Sequence, residues 1–254
     1  MNPDDTAQLY VGTSNIMLPV PNKQAFPEAF RNASRLSYYA SLFNSLEVNS
    51  SFYKIPLPKT VERWTREVPA DFRFTFKLNR DITHDKSSAP DVELVTRFMQ
   101  TINMAQENAG SLLVQFPAGR THNPAFLKRL LSIVEKENTA WDICVEFRHE
   151  SWYRDDIYRL LESHDAAIVA HDKKGAPPSA FPGSDFAYLR YHGPNGDYKG
   201  TYEFGFLEQQ ATAVNALLQE GKTVYAYFNN TAGSAVFDAL TLQELVTGEA
   251  RYQP

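Results

Sequence analysis

Phe72-Arg73-Phe74-Thr75-Phe76-Lys77-Leu78-Asn79 is the stretch from which the fold is read. Successive side chains of a strand point to opposite faces. Phe72, Phe74, Phe76 and Leu78 therefore share one face, and Thr75, Lys77 and Asn79 share the other. The aromatic face predicts packing against outer helices. The opposite face ends in a charge and an amide at the C-terminal end of the strand.

Seven further runs of the same kind lie on either side. Before it come Leu9-Tyr10-Val11-Gly12 and Ser45-Leu46-Glu47-Val48-Asn49. After it come Ser111–Phe116, Trp141–Phe147, Ala167–Ala170, Phe186–Tyr191 and Thr223–Phe228. The segments between them read as helices over 34–43, 58–67, 90–107, 123–135, 152–163, 206–219 and 234–246. In 90–107, Pro90-Asp91 opens a helix with Val92, Val95, Met99, Ile102 and Ala105 near one face. In 123–135, Asn123-Pro124 supplies a cap and a first-turn proline, and Phe126, Leu127, Leu130, Leu131 and Val134 follow at helical spacing. Residues 172–184 hold Gly175, Pro177, Pro178, Pro182 and Gly183, so a loop is expected there and one regular helix is expected to be missing after strand six. Eight strands alternating with helices predict a single (β/α)8 TIM-type barrel over residues 1–254.

Bulk properties agree with that prediction. The chain has 254 residues, near the roughly 250 of one such barrel. Hydrophobic residues make up 43% and aromatic ones 13%, enough for a large core and too many for a disordered chain. The net charge of −5 and the pairing of the densest basic groups, Lys128-Arg129 and Lys173-Lys174, argue against nucleic acid as the main partner. No apolar run is long enough to span a bilayer. The acidic start Met1-Asn2-Pro3-Asp4-Asp5 lacks a secretory signal, and Cys144 is the one cysteine. A cytoplasmic setting is therefore expected.

Parity places candidate functional groups at one rim, where barrels of this type build their sites. Glu47 and Asn49 end strand two on the inner face, and Lys77 ends strand three. Gln115 stands near the end of strand four. Cys144, Glu146 and Arg148 share the inner face of strand five, Asp172 follows strand six, Arg190 and His192 share a face of strand seven, and Asn229 follows strand eight. Charges or amides at seven strand ends point to a binding site, because a buried charge is costly unless paired or used. The alternative is structural: Glu47, Glu146 and Asp172 balance Lys77, Arg148 and Arg190, and could form an ion-pair network that plugs the barrel. Cys144 reads as a core filler, and His84, His122, His149 and His164 as loop or surface residues. Ser14 lacks a nucleophile-elbow setting, and no phosphate-binding glycine motif is present.

Several motifs in order resemble the domain-of-unknown-function-72 family, also called YecE-like proteins. They are Tyr10-Val11-Gly12-Thr13-Ser14, Tyr38–Tyr53, Phe74-Thr75-Phe76-Lys77 with Ile82-Thr83-His84, Leu113–Pro117, Val145–Trp152, Leu189–Gly193 and Tyr227–Asn230. The resemblance covers nearly the whole chain. It implies a barrel fold and a kinship with sugar isomerases, and no established activity. Asn15-Ile16 stands where the family pattern usually carries a Gly-Trp-like dipeptide.

The leading expectation is an enzyme for a small, anionic, sugar-like molecule. Glu47, Glu146, Lys77 and His192 are its catalytic candidates, with the two glutamates as acid and base. Asn49, Gln115, Arg148, Asp172, Arg190 and Asn229 are its binding candidates; the arginines suit bidentate contacts to phosphate or carboxylate. Isomerisation or epimerisation fits a set of acid/base groups with no evident cofactor. A non-catalytic sensor of a phosphorylated or carboxylated metabolite is the alternative, and glycoside hydrolysis by Glu47 and Glu146 a further one. A divalent metal is a lesser expectation. Glu146, Asp172 and His192 follow the Glu, Asp, His, Glu ligand order of barrels resembling xylose isomerase. The fourth place falls near Asn229, and Arg148 and Arg190 would repel a cation.

Overall fold

The computed structural model describes residues 7–173 and 184–252. Eight parallel strands form one sheet: β1 (Leu9–Thr13), β2 (Ser45–Val48), β3 (Arg73–Lys77), β4 (Ala109–Phe116), β5 (Asp142–Phe147), β6 (Ala167–His171), β7 (Phe186–Tyr191) and β8 (Thr223–Phe228). Their spatial order is β1-β8-β7-β6-β5-β4-β3-β2. The sheet curls until β1 meets β2. There the closure is thin: a single Ser14–Glu47 bridge and a 2.8 Å hydrogen bond from the Asn15 amide to the Glu47 carbonyl. The product is a nearly closed TIM-type barrel.

Alternation along the strands builds two cores. Phe72, Phe74, Phe76, Val114, Phe116, Val145 and Phe147 face outward into a buried layer under the helices. Tyr10, Leu113, Cys144, Val169, Tyr188, Tyr225 and Tyr227 form a separate cluster inside the barrel. Cys144 is wholly buried there, as a filler would be. The inner tyrosine hydroxyls need partners once buried. Tyr227 pairs with Ser45 and, at 2.8 Å, with Thr75, while Tyr225 donates to Asp142 at 2.8 Å.

The helices form where caps and apolar spacing coincide. Asp91 accepts from the Leu94 amide at 3.0 Å and opens Val92–Ile102, which buries Val95, Phe98, Met99 and Ile102. Two details differ from expectation. Val92 is 46% exposed, because it is the first residue of the helix, at the end of the buried face. The helix also stops at Ile102 and passes into a 3-10 segment, Asn103–Asn108, kinked where Gln106 takes φ 50°. Asn123 caps Pro124–Glu137 as expected, accepting from the Phe126 amide at 3.0 Å. Two four-residue helices, Ser50–Tyr53 and Arg80–Thr83, lie in the loops after β2 and β3. The expected loop after strand six falls mostly on residues 174–183, outside the described residues. No helix among those described is long and apolar enough to cross a membrane.

Geometry requires glycine at two positions near the site, 12 and 193. A Cβ on Gly12 would overlap the Ser45 carbonyl oxygen across the β1–β2 seam. Gly193, directly after His192, has φ +98° and lies against the Lys199 carbonyl. This turn carries Tyr198 to the rim, where its amide donates to the His192 carbonyl at 2.7 Å. It leads into a short parallel pair, Lys199–Gly200 with Ala232–Gly233.

Candidate functional site

Parity sends Glu47, Glu146 and Arg190 into the barrel, and all three are buried. Arg190 binds both acids at once: Nη2 meets Glu47 Oε1 at 2.7 Å and Nη1 meets Glu146 Oε2 at 2.6 Å. Glu47 also accepts from the Ser14 hydroxyl at 2.5 Å and the Tyr188 hydroxyl at 2.7 Å. Glu146 pairs further with Arg148 Nε through its second oxygen. Burial works against ionising either acid, but the guanidinium of Arg190 outweighs it for Glu47, and Arg190 with Arg148 outweighs it for Glu146. Both carboxyls are held below the usual range, Glu146 well below. Burial likewise opposes the charge on Arg190, and the two acids overcome that effect.

A second chain of contacts continues from Arg148. Its Nη2 lies 3.0 Å from His192 Nε2, and His192 Nδ1 lies 3.0 Å from Asp172 Oδ1. An arginine has no lone pair to offer, so Nε2 must accept and Nδ1 must carry the proton toward Asp172. His192 is thereby neutral. Burial pushes its pKa down to about 4 despite the carboxylate beside it. Asp172 also accepts from the His192 amide at 2.8 Å and from the Tyr202 hydroxyl.

Above this layer opens a cavity of about 780 Å³ whose walls include Phe52, Lys77, Arg80, His84, Gln115 and Tyr198, with Asp81, Asp85 and Asp91 as its acids. A neighbouring hollow of about 360 Å³ shares His84, Gln115 and Tyr198 and adds Arg148, His171 and Lys173. Lys77 is 9% exposed, and its Nζ lies 4.2 Å from the centre of the Phe52 ring. Among the described residues its ammonium has no ion pair. Burial, then the charge of Arg190, lowers its pKa to about 8. His84 packs edge-on against Phe52, ring centres 4.9 Å apart. Burial and Lys77 bring His84 to about 4, so at neutral pH its ring is uncharged.

The ten expected site residues thus divide by depth. Lys77, Gln115 and Arg148 line the cavity. Glu47, Glu146 and Arg190 lie in the buried layer, and His192 and Asp172 stand behind Arg148. Asn49 starts the helix Ser50–Tyr53, with its Oδ1 buried and unpartnered. Asn229 contributes a backbone amide to the Tyr191 carbonyl at 2.7 Å. Several participants were not among the expected ones: Ser14, Tyr188 and Tyr202 as hydrogen-bond donors, and Phe52, Arg80, His84, His171, Lys173 and Tyr198 as walls. His84, expected at a loop or surface, caps Arg80–Thr83 and turns into the cavity. His122 and His164 do pair at the exterior, with Asp156 and Glu135.

The metal candidates Glu146, Asp172 and His192 do not make a cation site. Glu146 is bound by two guanidiniums, and the free nitrogen of His192 faces a third donor from Arg148. Among the described residues, no group of three or more His, Cys, Asp or Glu is arranged to hold a metal ion.

A family model described as "Protein of unknown function DUF72" matches residues 10–254. The protein YecE of Escherichia coli, described as UPF0759, is 31% identical over 118 residues, covering 46% of this chain and 43% of that protein. The match therefore spans less than half the length of that relative. YunF of Bacillus subtilis, also UPF0759, is 24% identical over 249 residues, 84% of this chain and 86% of that one. Among solved structures, a DUF72 family protein from Thermotoga maritima superposes with a TM-score of 0.72 at 25% identity, covering 94% of this chain and 99% of that chain. A D-psicose 3-epimerase from Clostridium cellulolyticum, solved with D-tagatose, gives a TM-score of 0.50 at 11% identity, covering 85% of this chain and 91% of that chain. That likeness is one of fold.

Proposed function

We propose that this chain, which belongs to the DUF72 family, acts as one barrel domain that binds a small anionic, sugar-like molecule at its C-terminal rim and isomerises or epimerises it by acid/base chemistry. One observation carries the reading: Lys77, the buried cation of the cavity wall, presents an ammonium without an ion pair among the described residues, whereas the acids of that wall, Asp81, Asp85 and Asp91, are exposed to solvent and Asp81 pairs with Arg80. A desolvated cation of this kind favours a negative guest. Arg148, Arg80 and Lys173 are placed to hold the anion, and Arg148 Nη1 is buried without a partner. Gln115 supplies hydroxyl contacts from the same wall.

Proton transfer in this reading falls to Lys77 and His84, both on the cavity wall and both able to be neutral near pH 8. Glu47, Glu146, Arg190, Asp172 and His192 act through Arg148 and Lys77, fixing their positions and charge. The epimerase likeness supports only the barrel frame, since folds of this type host many chemistries. Glycoside hydrolysis requires two carboxyls flanking the scissile bond. Glu47 and Glu146 instead share one buried guanidinium, so that reading is not favoured.

The sealing of both glutamates favours a second reading, a non-catalytic sensor of a phosphorylated or carboxylated metabolite. Turnover separates the two. Sugar phosphates incubated with the protein in D2O should gain deuterium at the carbon next to the carbonyl, followed by proton NMR. Ligand-dependent stabilisation without any deuterium exchange would establish the sensor. Absence of both, across phosphates and carboxylates, would remove the anion site itself.

A further inference from the structure

We propose that Lys77 is a Schiff-base nucleophile, its Nζ capturing the carbonyl carbon of an open-chain aldehyde or ketone that carries an anionic group. The inference rests on the anion-site reading for the ligand's charge and adds a covalent step to it. Three observations carry it. First, the amine sits on the wall of the cavity and makes no ion pair among the described residues, the carboxylates of Glu146 and Glu47 acting on it only from a distance. Second, burial disfavours its charged form, and the charges of Arg190 and Arg148 add to that while Glu146 and Glu47 oppose it from the same barrel side; a desolvated amine beside cations is the setting of known amine nucleophiles. Third, its backbone is fixed, since the Ser51 hydroxyl donates to the Lys77 carbonyl at 2.7 Å, and Phe52 provides an aromatic face under the amine.

The step balances with the groups present. The Nζ lone pair forms the C–N bond while the carbonyl π pair moves to oxygen, which takes up a proton as nitrogen releases one. The carbinolamine oxygen then accepts a second proton and leaves as water while the nitrogen lone pair completes C=N. No oxidant or reductant takes part. His84 is the proton carrier on the same wall, its Nδ1 2.8 Å from the Thr83 hydroxyl and its ring against Phe52. The C=N product keeps the nitrogen's remaining proton and so carries a positive charge, which acidifies the neighbouring C–H, the proton an isomerase must remove.

With a pKa of about 8 against about 10.4 for an ordinary lysine, the neutral fraction of Lys77 at pH 7.5 is larger by roughly 200-fold. A more weakly basic amine is also a weaker nucleophile, so the net advantage is smaller, on the order of tenfold or more. The test incubates the full chain with dihydroxyacetone phosphate, glyceraldehyde 3-phosphate or pyruvate and sodium cyanoborohydride at pH 7.5. Peptide mass mapping then locates the reduced adducts. The expected result is capture at Lys77 at least about tenfold faster than at any other lysine, slowed by inorganic phosphate and abolished in Lys77→Arg. Phosphate binding is measured separately by calorimetry. Phosphate binding with no Lys77 adduct from any of the three carbonyl compounds overturns the covalent step and leaves the anion site standing. A Lys77 adduct without phosphate binding supports the nucleophile and removes the anion site.

Discussion

Glu47 and Glu146 are joined through one guanidinium: the two terminal nitrogens of Arg190 reach Glu47 Oε1 at 2.7 Å and Glu146 Oε2 at 2.6 Å. All three side chains are fully buried. The rim therefore has two levels. The lower is the ion-pair plug that the balanced charges allowed, and the upper is an open cavity with an amine in its wall.

Glu146→Gln leaves Arg190 with one acid and Arg148 with none. Uncompensated buried charge costs about 3–5 kcal/mol, and that is the expected drop in unfolding free energy from urea midpoints at pH 7. A loss below about 1 kcal/mol would show that the guanidiniums find water instead.

Lys77→Met should stabilise the fold, by about 1–3 kcal/mol at pH 7, because the wild-type amine is held against its preference. The pH dependence gives the sign. The folded pKa of about 8 lies below the ordinary value of 10.5, so between those values the unfolded chain holds more protons and wild-type stability rises with pH. In Lys77→Met that rise should vanish. An unchanged slope would place the charge elsewhere.

Acid should weaken the protein before the rim acids Glu47, Glu146 and Asp172 titrate, since all three are held below the usual carboxylate range. The folded pKa of His192, about 4, lies below the ordinary 6.5, so the unfolded chain takes up the proton first. Stability then falls as pH drops from about 6.5 toward 4, by on the order of 2 kcal/mol from this group. His84 shifts the same way. His192→Asn should flatten part of the decline, measured by denaturation at pH 7, 5.5 and 4.5. A decline identical to wild type would remove His192 from it.

Gly12→Ala would drive a methyl group into the Ser45 carbonyl oxygen and to 2.8 Å from the Tyr39 hydroxyl. Both belong to the seam, where the backbone has little room to yield. The expected loss is at least about 3 kcal/mol, with faster hydrogen exchange confined to β1 and β2. Uniform exchange across all strands would show that the seam is no weaker than the rest.

The strands were legible in the sequence because each carries its own alternation. Phe186–Tyr191 and Thr223–Phe228 match to the residue, and the others differ at their ends by two residues or fewer. Parity also brought Glu47, Lys77, Glu146 and Arg190 to one end. Depth was not legible, since parity gives a side chain's face and not its height. The short glutamate of β2 stays below, sealed by Ser14 and Tyr188, while the long amine of β3 reaches the cavity. Tyr188 could have been found, as it stands two residues before Arg190 and shares its face. Phe52 and His84 could not, because Ser50–Tyr53 and Arg80–Thr83 are too short to show a period. The departure at Asn15 has a physical reading as well: its φ is +66°, a conformation that glycine takes freely and asparagine tolerates.

The thin seam between β1 and β2 has a consequence for biosynthesis. A ribosome releases the N-terminal end first, so Glu47 emerges long before Glu146 and Arg190. Of the groups that bond its carboxylate, Ser14 is made before it, but Tyr188 and Arg190 follow it by 141 and 143 residues. Burying the acid without that guanidinium is costly, so a chain cut short before β7 is expected to leave β1 and β2 labile to hydrogen exchange, and protection of the seam to appear only once β7 and β8 are present.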